Sequence, residues 1–291
     1  MTFYISSSCS SQKRLPDVLH ELIDVGFRRI ALTGDVEYSE NIKESVLRFK
    51  EAYHLDIILH NYFAFQPEEF VLNLASGDPE IQDKTLEHIR ECVDLLTKLG
   101  KNLYSLHPGL MNDLQPILRD GYFIKSNDRV NSREDFYHMV DRVMNEVVND
   151  DFRIAVENLH PKSDTELYSF LCTPNDIIAF LKRFNNRDNV GIVLDLGHLN
   201  VSSRRLKFDK YEVLDEIFSN YMDRIFEIHV SENDGLSDAH GISEIESWQI
   251  KYLEKYRQEL KKVPVVLEWH RSAHRQAFGR YLSIREKLED R

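Results

Sequence analysis

Eight short runs of β-branched and apolar residues recur along this 291-residue chain, and each is followed by a longer stretch with helical spacing. The runs are Phe3–Ser7, Arg29–Thr33, Asp56–His60, Asn102–His107, Arg153–Glu157, Gly191–Asp195, Ile225–His229 and Val265–Glu268. Strands that alternate with helices form βα units, and βα units build a parallel sheet. Eight such units predict an α/β chain whose sheet closes into a single (β/α)8 TIM barrel, with elaborated loops after the strands.

The helical segments fit that frame. Asp83–Leu99 carries Leu86, Ile89, Arg90, Val93, Leu96 and Thr97 as a stripe and its border, expected to pack on the barrel. Asp78-Pro79 and Thr173-Pro174 are predicted helix starts, because Asp or Thr caps free N–H groups and proline is tolerated in the first turn. No linker, low-complexity stretch or charge block divides the sequence, so residues 1–291 are expected to form one domain. The longest predicted irregular segment is Pro108–Asn131, long enough for a lid.

Composition removes several function classes. Charged residues make up 30% and hydrophobic residues 42%, which suits a globular chain rather than a disordered one. No apolar run reaches membrane-spanning length, and the first residues read as a strand rather than a signal peptide, so a cytoplasmic location is expected. Cys9, Cys92 and Cys172 are odd in number and widely spaced, which leaves His and carboxylate as the metal-ligand types. A net charge of -12 disfavours nonspecific nucleic-acid binding, though a cleft can still be locally basic.

The last residues of six consecutive predicted strands are His60, His107, Glu157, Asp195, His229 and Glu268. All six are metal-ligand types, and a βα barrel gathers its C-terminal strand ends at one mouth. Asp195-Leu-Gly-His198 and Asp238-Ala-His240 add His198, Asp238 and His240. The resulting five His, two Asp and two Glu exceed the four ligands that one zinc takes, and suit two or three ions sharing carboxylates.

With these motifs the chain resembles the xylose isomerase-like barrels, and within them the endonuclease IV group of apurinic-site repair enzymes. The likeness covers nearly the whole sequence. It is carried by His60, Leu72-Asn-Leu-Ala-Ser76, Leu99-Gly100, Ser105-Leu-His107-Pro-Gly109, Val156-Glu157-Asn158, Asp195-Leu-Gly-His198, Ile228-His229, Asp238-Ala-His240 and Leu267-Glu268. The resemblance implies three divalent ions, zinc first, with manganese or iron as other candidates. It assigns His60, His107 and Glu157 to one ion, and Glu157, Asp195, His229 and Glu268 to a second. His198, Asp238 and His240 would hold the third. In that design adjacent cations lower the pKa of a shared water and neutralise a leaving oxygen, so that metal-bound hydroxide cleaves a phosphoester.

Several features depart from the repair enzymes. The segment Asn61–Phe70 is lengthened and carries Tyr62, Phe63 and Phe65, which would stack on a base or sugar or simply pack the loop down. The loop from His229 to Asp238 holds Glu232 and Asp234 but no Lys or Arg, and Ala239 stands where that family has an arginine. Other expected mouth loops are basic, with Lys125, Arg129, Lys162, Lys207 and Arg275 among their residues. Arg204, Arg205 and Arg271 are the leading candidates for an anionic substrate, because arginine offers bidentate contacts; His160 and His270 are further substrate-binding candidates. His20, His54, His88 and His138 fall in helical segments and receive no role, and the Ser6–Cys9 run stays unassigned.

The reading that follows is a multinuclear metal-dependent hydrolase acting on a small anionic or phosphorylated substrate or on a nucleic-acid end. Duplex nucleic acid is not favoured. The alternative is a sugar or sugar-phosphate isomerase or epimerase, in which Glu157, Asp195, His229 and Glu268 hold one ion and the two glutamates form an acid–base pair. A non-catalytic binding barrel is a third reading. No membrane partner is expected, and the sequence leaves the oligomeric state open.

Overall fold

The computed structural model describes residues 1–63, 71–119, 122–125, 130–164 and 166–289, with side chains described except in 116–119 and 122–125. The strands are β1 (Thr2–Ser6), β2 (Arg29–Leu32), β3 (Asp56–Leu59), β4 (Leu103–Leu106), β5 (Leu114–Arg119), β6 (Tyr122–Lys125), β7 (Arg153–Glu157), β8 (Val190–Asp195), β9 (Ile225–Val230) and β10 (Pro264–Leu267). Helices α1 (Leu15–Val25), α2 (Ile42–Tyr53), α3 (Pro79–Lys98), α4 (Arg133–Glu146), α5 (Pro174–Arg183), α6 (Leu196–Leu206), α7 (Lys210–Asn220), α8 (Trp248–Lys255) and α9 (Arg275–Leu288) lie between or after them. All eight predicted strands are present, and they pair in parallel in the order β3-β2-β1-β10-β9-β8-β7-β4. The remaining seam, between β3 and β4, is drawn together by the parallel bridge His60–Ser105 and by the Asn61 N–H donating to the Ser105 carbonyl at 2.8 Å. The chain is a nearly closed (β/α)8 barrel.

Strand periodicity explains why one end of this barrel is chemical. Tyr4, Ala31, Ile58 and Val266 form one small buried cluster, and Ala155, Val193 and Phe226 another. Side chains two residues apart on a strand share a face. Two positions beyond each of these apolar residues except Phe226, on the same strands or just past them, stand Ser6, Thr33, His60, Glu268, Glu157 and Asp195. An apolar floor therefore underlies a polar ring. Strands β4 and β9 break the floor: two positions before His107 and His229 they carry Ser105 and Glu227, both buried.

The structure corrects the expected details in two places. Helix α3 begins at Pro79, as the predicted Asp78-Pro79 start requires, with the Asp78 carboxylate accepting from the Glu80 N–H at 2.9 Å. Its buried face is Thr85, Leu86, His88, Ile89, Cys92, Leu95 and Leu96, while Arg90 and Thr97 are exposed. The stripe therefore runs through His88 and Cys92, whose spacing of four places them one above the other on the helix. The Pro108–Asn131 segment is not wholly irregular, since β5 and β6 pair in it as an antiparallel hairpin. The expected cap at Thr173 is present, its hydroxyl accepting from the Asp176 N–H at 3.1 Å.

Two loops that flank the mouth are locked together by Asn73. Its Oδ1 accepts from the Ala75 and Leu110 N–H groups at 2.9 and 2.7 Å, and its Nδ2 donates to Asp113 Oδ1 at 2.7 Å. The close approach needs Gly109, where a Cβ would lie 2.4 Å from the Ala75 Cβ and 2.7 Å from its backbone nitrogen. No helix among the described residues is long and apolar enough to cross a membrane.

Candidate functional site

His60 follows β3 on the closing seam. Its Nδ1 lies 3.1 Å from Ser105 Oγ, and its Nε2 lies 3.1 Å from Glu157 Oε2. The next residue, Asn61, has a left-handed backbone with φ of 48° and binds its neighbours in place. Its Oδ1 accepts from the His107 N–H at 3.2 Å, and its carbonyl accepts from the Tyr104 hydroxyl and faces His88 Nε2 at 3.2 Å. The stiff strand ends and this shared hub fix His60 and His107 together, with His107 Nε2 3.3 Å from the same Glu157 oxygen.

Glu157 ends β7 at the centre of the cluster. Its Oε2 faces His60 and His107, while its Oε1 lies 3.1 Å from His198 Nδ1 and 3.4 Å from His229 Nδ1. His229 Nδ1 is also 3.4 Å from Glu268 Oε1 and 3.9 Å from Asp195 Oδ2.

Helix capping explains the Asp195-x-x-His198 spacing. Asp195 is the N-cap of α6, and its Oδ1 accepts from the His198 N–H at 2.6 Å, the third helical N–H. That bond leaves Asp195 Oδ2 directed toward His229 and toward His198 Nδ1 at 3.6 Å. Gly197 lets the turn approach β9, since a Cβ there would fall 2.4 Å from Ser231 Oγ. His198 Nε2 then reaches Asp238 Oδ2 at 3.2 Å, and His240 Nε2 reaches the same oxygen at 2.7 Å. His240 is held from behind by the Glu268 carbonyl, 3.1 Å from its Nδ1, and stacks on His270 with ring centres 4.0 Å apart.

All nine sequence-predicted donors therefore converge. Among the described residues, four sets of three or four donors have their ligand atoms within 4.8 Å of one another: His60/His107/Glu157, Glu157/Asp195/His229/Glu268, His160/His198/Asp238 and His60/Glu227/His229. The first two match the expected groupings. The third contains His160 in addition to two of the expected three, and the fourth contains Glu227, which the sequence reading did not single out. Both Glu157 oxygens, Asp195 Oδ2, Asp238 Oδ1 and His229 Nδ1 are buried without a hydrogen-bond partner. Buried polar atoms are normally paired, so this set of inward-facing acceptors has the chemistry of a cation site.

The charges are tightly interdependent. Burial opposes ionisation of Glu157, but the charges of His229 and His60, with His107 and His198 close beside it, outweigh it and hold the carboxylate well below its usual range. Asp195 moves the other way: burial, reinforced by the Glu157 and Glu268 charges, pushes it up to about 7. Burial disfavours the His240 cation, yet its bond to Asp238 and the Glu268 charge raise it to about 9. Burial lowers His160 and His270.

A metal ion needs neutral imidazole and ionised carboxylate, so binding one at neutral pH would displace protons from Asp195 and His240, and also from His198 and His229, whose carboxylate neighbours outweigh burial and hold them well above the usual imidazole range. Apparent metal affinity is expected to rise with pH through about 7 and on through about 9. Asp195 and His240 both have raised folded pKa values, so the stability they lend the metal-free protein is full below the unfolded values of 3.8 and 6.5. It is lost as pH rises to about 7 and about 9. Calorimetric titration in buffers of different ionisation enthalpy checks this; equal proton release at about pH 7 and above pH 9 would contradict it.

Above the cluster lies a cavity of about 500 Å³ whose lining includes His60, His107, Glu157, His198, Asp238, His240 and Glu268. Asp195 and His229 sit beneath it, fully buried. The far wall is hydroxylic and acidic, with Ser6, Ser8, Thr33 and Asp35, residues to which the sequence reading gave no role. Tyr62 and Tyr168 also face the cavity, whereas Phe63 is packed in the core.

His160 and His270 line the cavity as expected. The three arginines do not. Arg204 donates to the Asp234 carbonyl at 3.2 Å, and Arg205 donates to the carbonyls of Leu236 and Lys162 at 2.5 and 3.1 Å. They brace the loop that delivers Asp238 rather than waiting for an anion. Arg271 is exposed, has a left-handed backbone with φ of 47°, and donates its N–H to the Ser8 carbonyl at 3.1 Å. No Lys or Arg is among the described residues that line the cavity. Phe65 and Arg129 lie outside the described residues, as does the side chain of Lys125.

Comparison with known proteins agrees with this geometry. Residues 19–275 match the family described as xylose isomerase-like TIM barrel. The chain belongs to that family. Within it, an uncharacterised protein of Methanocaldococcus jannaschii, MJ1311, is 25% identical over 247 residues, spanning 82% of this chain and 73% of its own. Solved structures of the same barrel include a D-tagatose 3-epimerase-like protein with a TM-score of 0.70 and 20% identity, covering 99% of this chain and 97% of its own. D-psicose 3-epimerase from Clostridium cellulolyticum, solved with D-tagatose, gives 0.68 at 14% identity over 100% of both chains. Endonuclease IV from Thermus thermophilus gives 0.61 at 14% identity over 99% of both. At these identities the likeness of the solved structures to this xylose isomerase-like barrel is one of fold, and both an endonuclease and epimerases occur among them.

Proposed function

We propose that this chain is a metal-dependent hydrolase with a three-ion centre, acting on a phosphoester of a small substrate. One observation carries the reading: His60, His107, His198, Asp238 and His240 join Glu157, Asp195, His229 and Glu268 in one continuous cluster, far more donors than a single ion uses. Bound divalent ions polarise phosphoryl oxygens and activate water. Glu157 and Glu268 would share their oxygens among the imidazoles and ions, as the placement of His229 Nδ1 at 3.4 Å from each suggests. His160 and His270 stand at the rim, where substrate would enter. Buried apolar residues close the barrel beneath the cluster and exclude water from that side.

A cavity of about 500 Å³ suits a small molecule, and the absence of Lys or Arg from its described lining gives a nucleic-acid backbone little to hold. Release of product from simple phosphomonoesters and phosphodiesters, with zinc or manganese added, tests the proposal.

The second reading, a sugar or sugar-phosphate isomerase or epimerase, is favoured by a different observation. Glu157 and Glu268 both line the cavity, while Asp195 and His229 lie buried below, the arrangement of an acid–base pair around one ion. Proton abstraction next to a carbonyl would then exchange that proton with solvent. Incorporation of deuterium from D₂O into a ketose or ketose phosphate, without phosphate release, would replace the hydrolase reading with this one.

A further inference from the structure

Glu227 is the polar residue that barrel periodicity does not explain. It lies within β9, two positions before His229, 1% exposed, and is paired with Val193 of the neighbouring β8. A carboxylate buried there is costly unless its hydrogen bonds are made. Both partners are in place: Glu227 Oε1 lies 2.7 Å from His229 Nε2 and accepts from Ser105 Oγ at 2.8 Å. Ser105 Oγ is in turn 3.1 Å from His60 Nδ1.

We infer that Glu227 is a positioning residue that sets the orientation and tautomer of two metal-binding imidazoles, His229 directly and His60 through Ser105. The inference rests on the metal-centre reading above. A carboxylate accepts hydrogen bonds but cannot donate them. A neutral, metal-binding His229 must therefore carry its proton on Nε2, which leaves the Nδ1 lone pair directed at the gap between Glu157 and Glu268, 3.4 Å from each. Ser105 must also spend its hydroxyl proton on Glu227, so its oxygen can only accept from His60. That puts the His60 proton on Nδ1 and leaves Nε2 free on the side of Glu157, 3.1 Å away. One carboxylate thus imposes opposite tautomers on two imidazoles that face the same cluster. Partners of this kind commonly change metal affinity 10–100-fold when removed.

The same residue with His60 and His229 also satisfies the distance criterion for an ion site of its own, and the test separates these roles. Zinc is titrated into wild type, Glu227→Leu, Glu227→Gln and Ser105→Ala in competition with a chromogenic chelator, and histidine tautomers are read by ¹⁵N long-range NMR. Glu227→Leu is expected to saturate with as many ions as wild type, to bind them about 10–100-fold more weakly, and to lose the Nε2–H signature of His229. Glu227→Gln keeps an acceptor oxygen and is expected to recover most of the affinity. Ser105→Ala is expected to alter the His60 signature while sparing that of His229, and it keeps the inference testable if Glu227→Leu does not fold. Unchanged affinity and tautomers in the variants would overturn the inference. So would saturation of the Glu227 variants with one ion fewer, which would make Glu227 a ligand. Failure of the wild type itself to bind zinc would instead overturn the metal-centre reading.

Discussion

Replacing Glu157 by glutamine is expected to reduce phosphoester hydrolysis on the order of 10³-fold, because an ion that loses its shared carboxylate loses several kcal/mol of transition-state charge stabilisation. No other side chain in the cluster is so exposed to the change. Glu157 alone faces four imidazoles, those of His60, His107, His198 and His229, all within 3.4 Å. The same substitution is expected to weaken the metal-free protein by about 3–5 kcal/mol, since removing one partner of a buried charge cluster strands the others. Stability and rate are therefore to be measured separately, by denaturant unfolding without metal and by turnover with metal. Full activity in Glu157→Gln would remove the bridging role assigned to this carboxylate.

Chelation is expected to produce the largest change in thermal stability. An ion held at a hundredfold excess over its Kd adds about 2.7 kcal/mol to the folded state, and three such ions add on the order of 8 kcal/mol. For a chain of this size each kcal/mol corresponds to roughly 2 °C, so stripping the centre is expected to lower Tm by roughly 15 °C. Because Asp195 and His240 release their protons only at about 7 and about 9, the difference between loaded and stripped protein should widen as pH rises across that interval. Scanning calorimetry with and without chelator reads it directly. A Tm indifferent to chelation would mean that the donors are satisfied by one another and hold no ion.

The fold and the convergence of the strand-end donors were legible for the same reason. In a parallel barrel each strand is buried on both faces, so its sequence is a short apolar run, and the polar residue that ends the run sits at the mouth. His60, His107, Glu157, Asp195 and Glu268 are of that kind, His229 stands one residue before the end of β9, and β7 spans Arg153–Glu157 as the sequence indicates. His198 was legible through helix capping, which fixes its distance from Asp195. Glu227 was harder to see because it lies inside a run, where Phe226-Glu-Ile-His229 reads as strand before it reads as chemistry. The spacing of two between Glu227 and His229 was the available signal, since strand residues at that spacing face the same side.

The arginines failed for a different physical reason. Composition marks a loop as basic, but an arginine beside bare loop carbonyls binds them as readily as it would a substrate anion. The carbonyls of Asp234, Leu236 and Lys162 were close enough to take Arg204 and Arg205. No residue pattern announces which backbone carbonyls a loop will leave free. The β5–β6 hairpin within the expected irregular segment shows the same limit, because its pairing depends on register rather than on composition.

The central claim is that nine donors from separate strands and loops hold several ions in one cluster. Metal content per chain, measured by plasma mass spectrometry on protein purified without chelator or added metal, tests it most directly when paired with His240→Ala. His240 lies 2.7 Å from Asp238 and does not belong to the Glu157, Asp195, His229 and Glu268 set. The expected result is three ions per chain in the wild type, falling to two in the variant. A single ion, unaffected by His240→Ala, would contradict the three-ion centre and turn the search for substrate toward sugars.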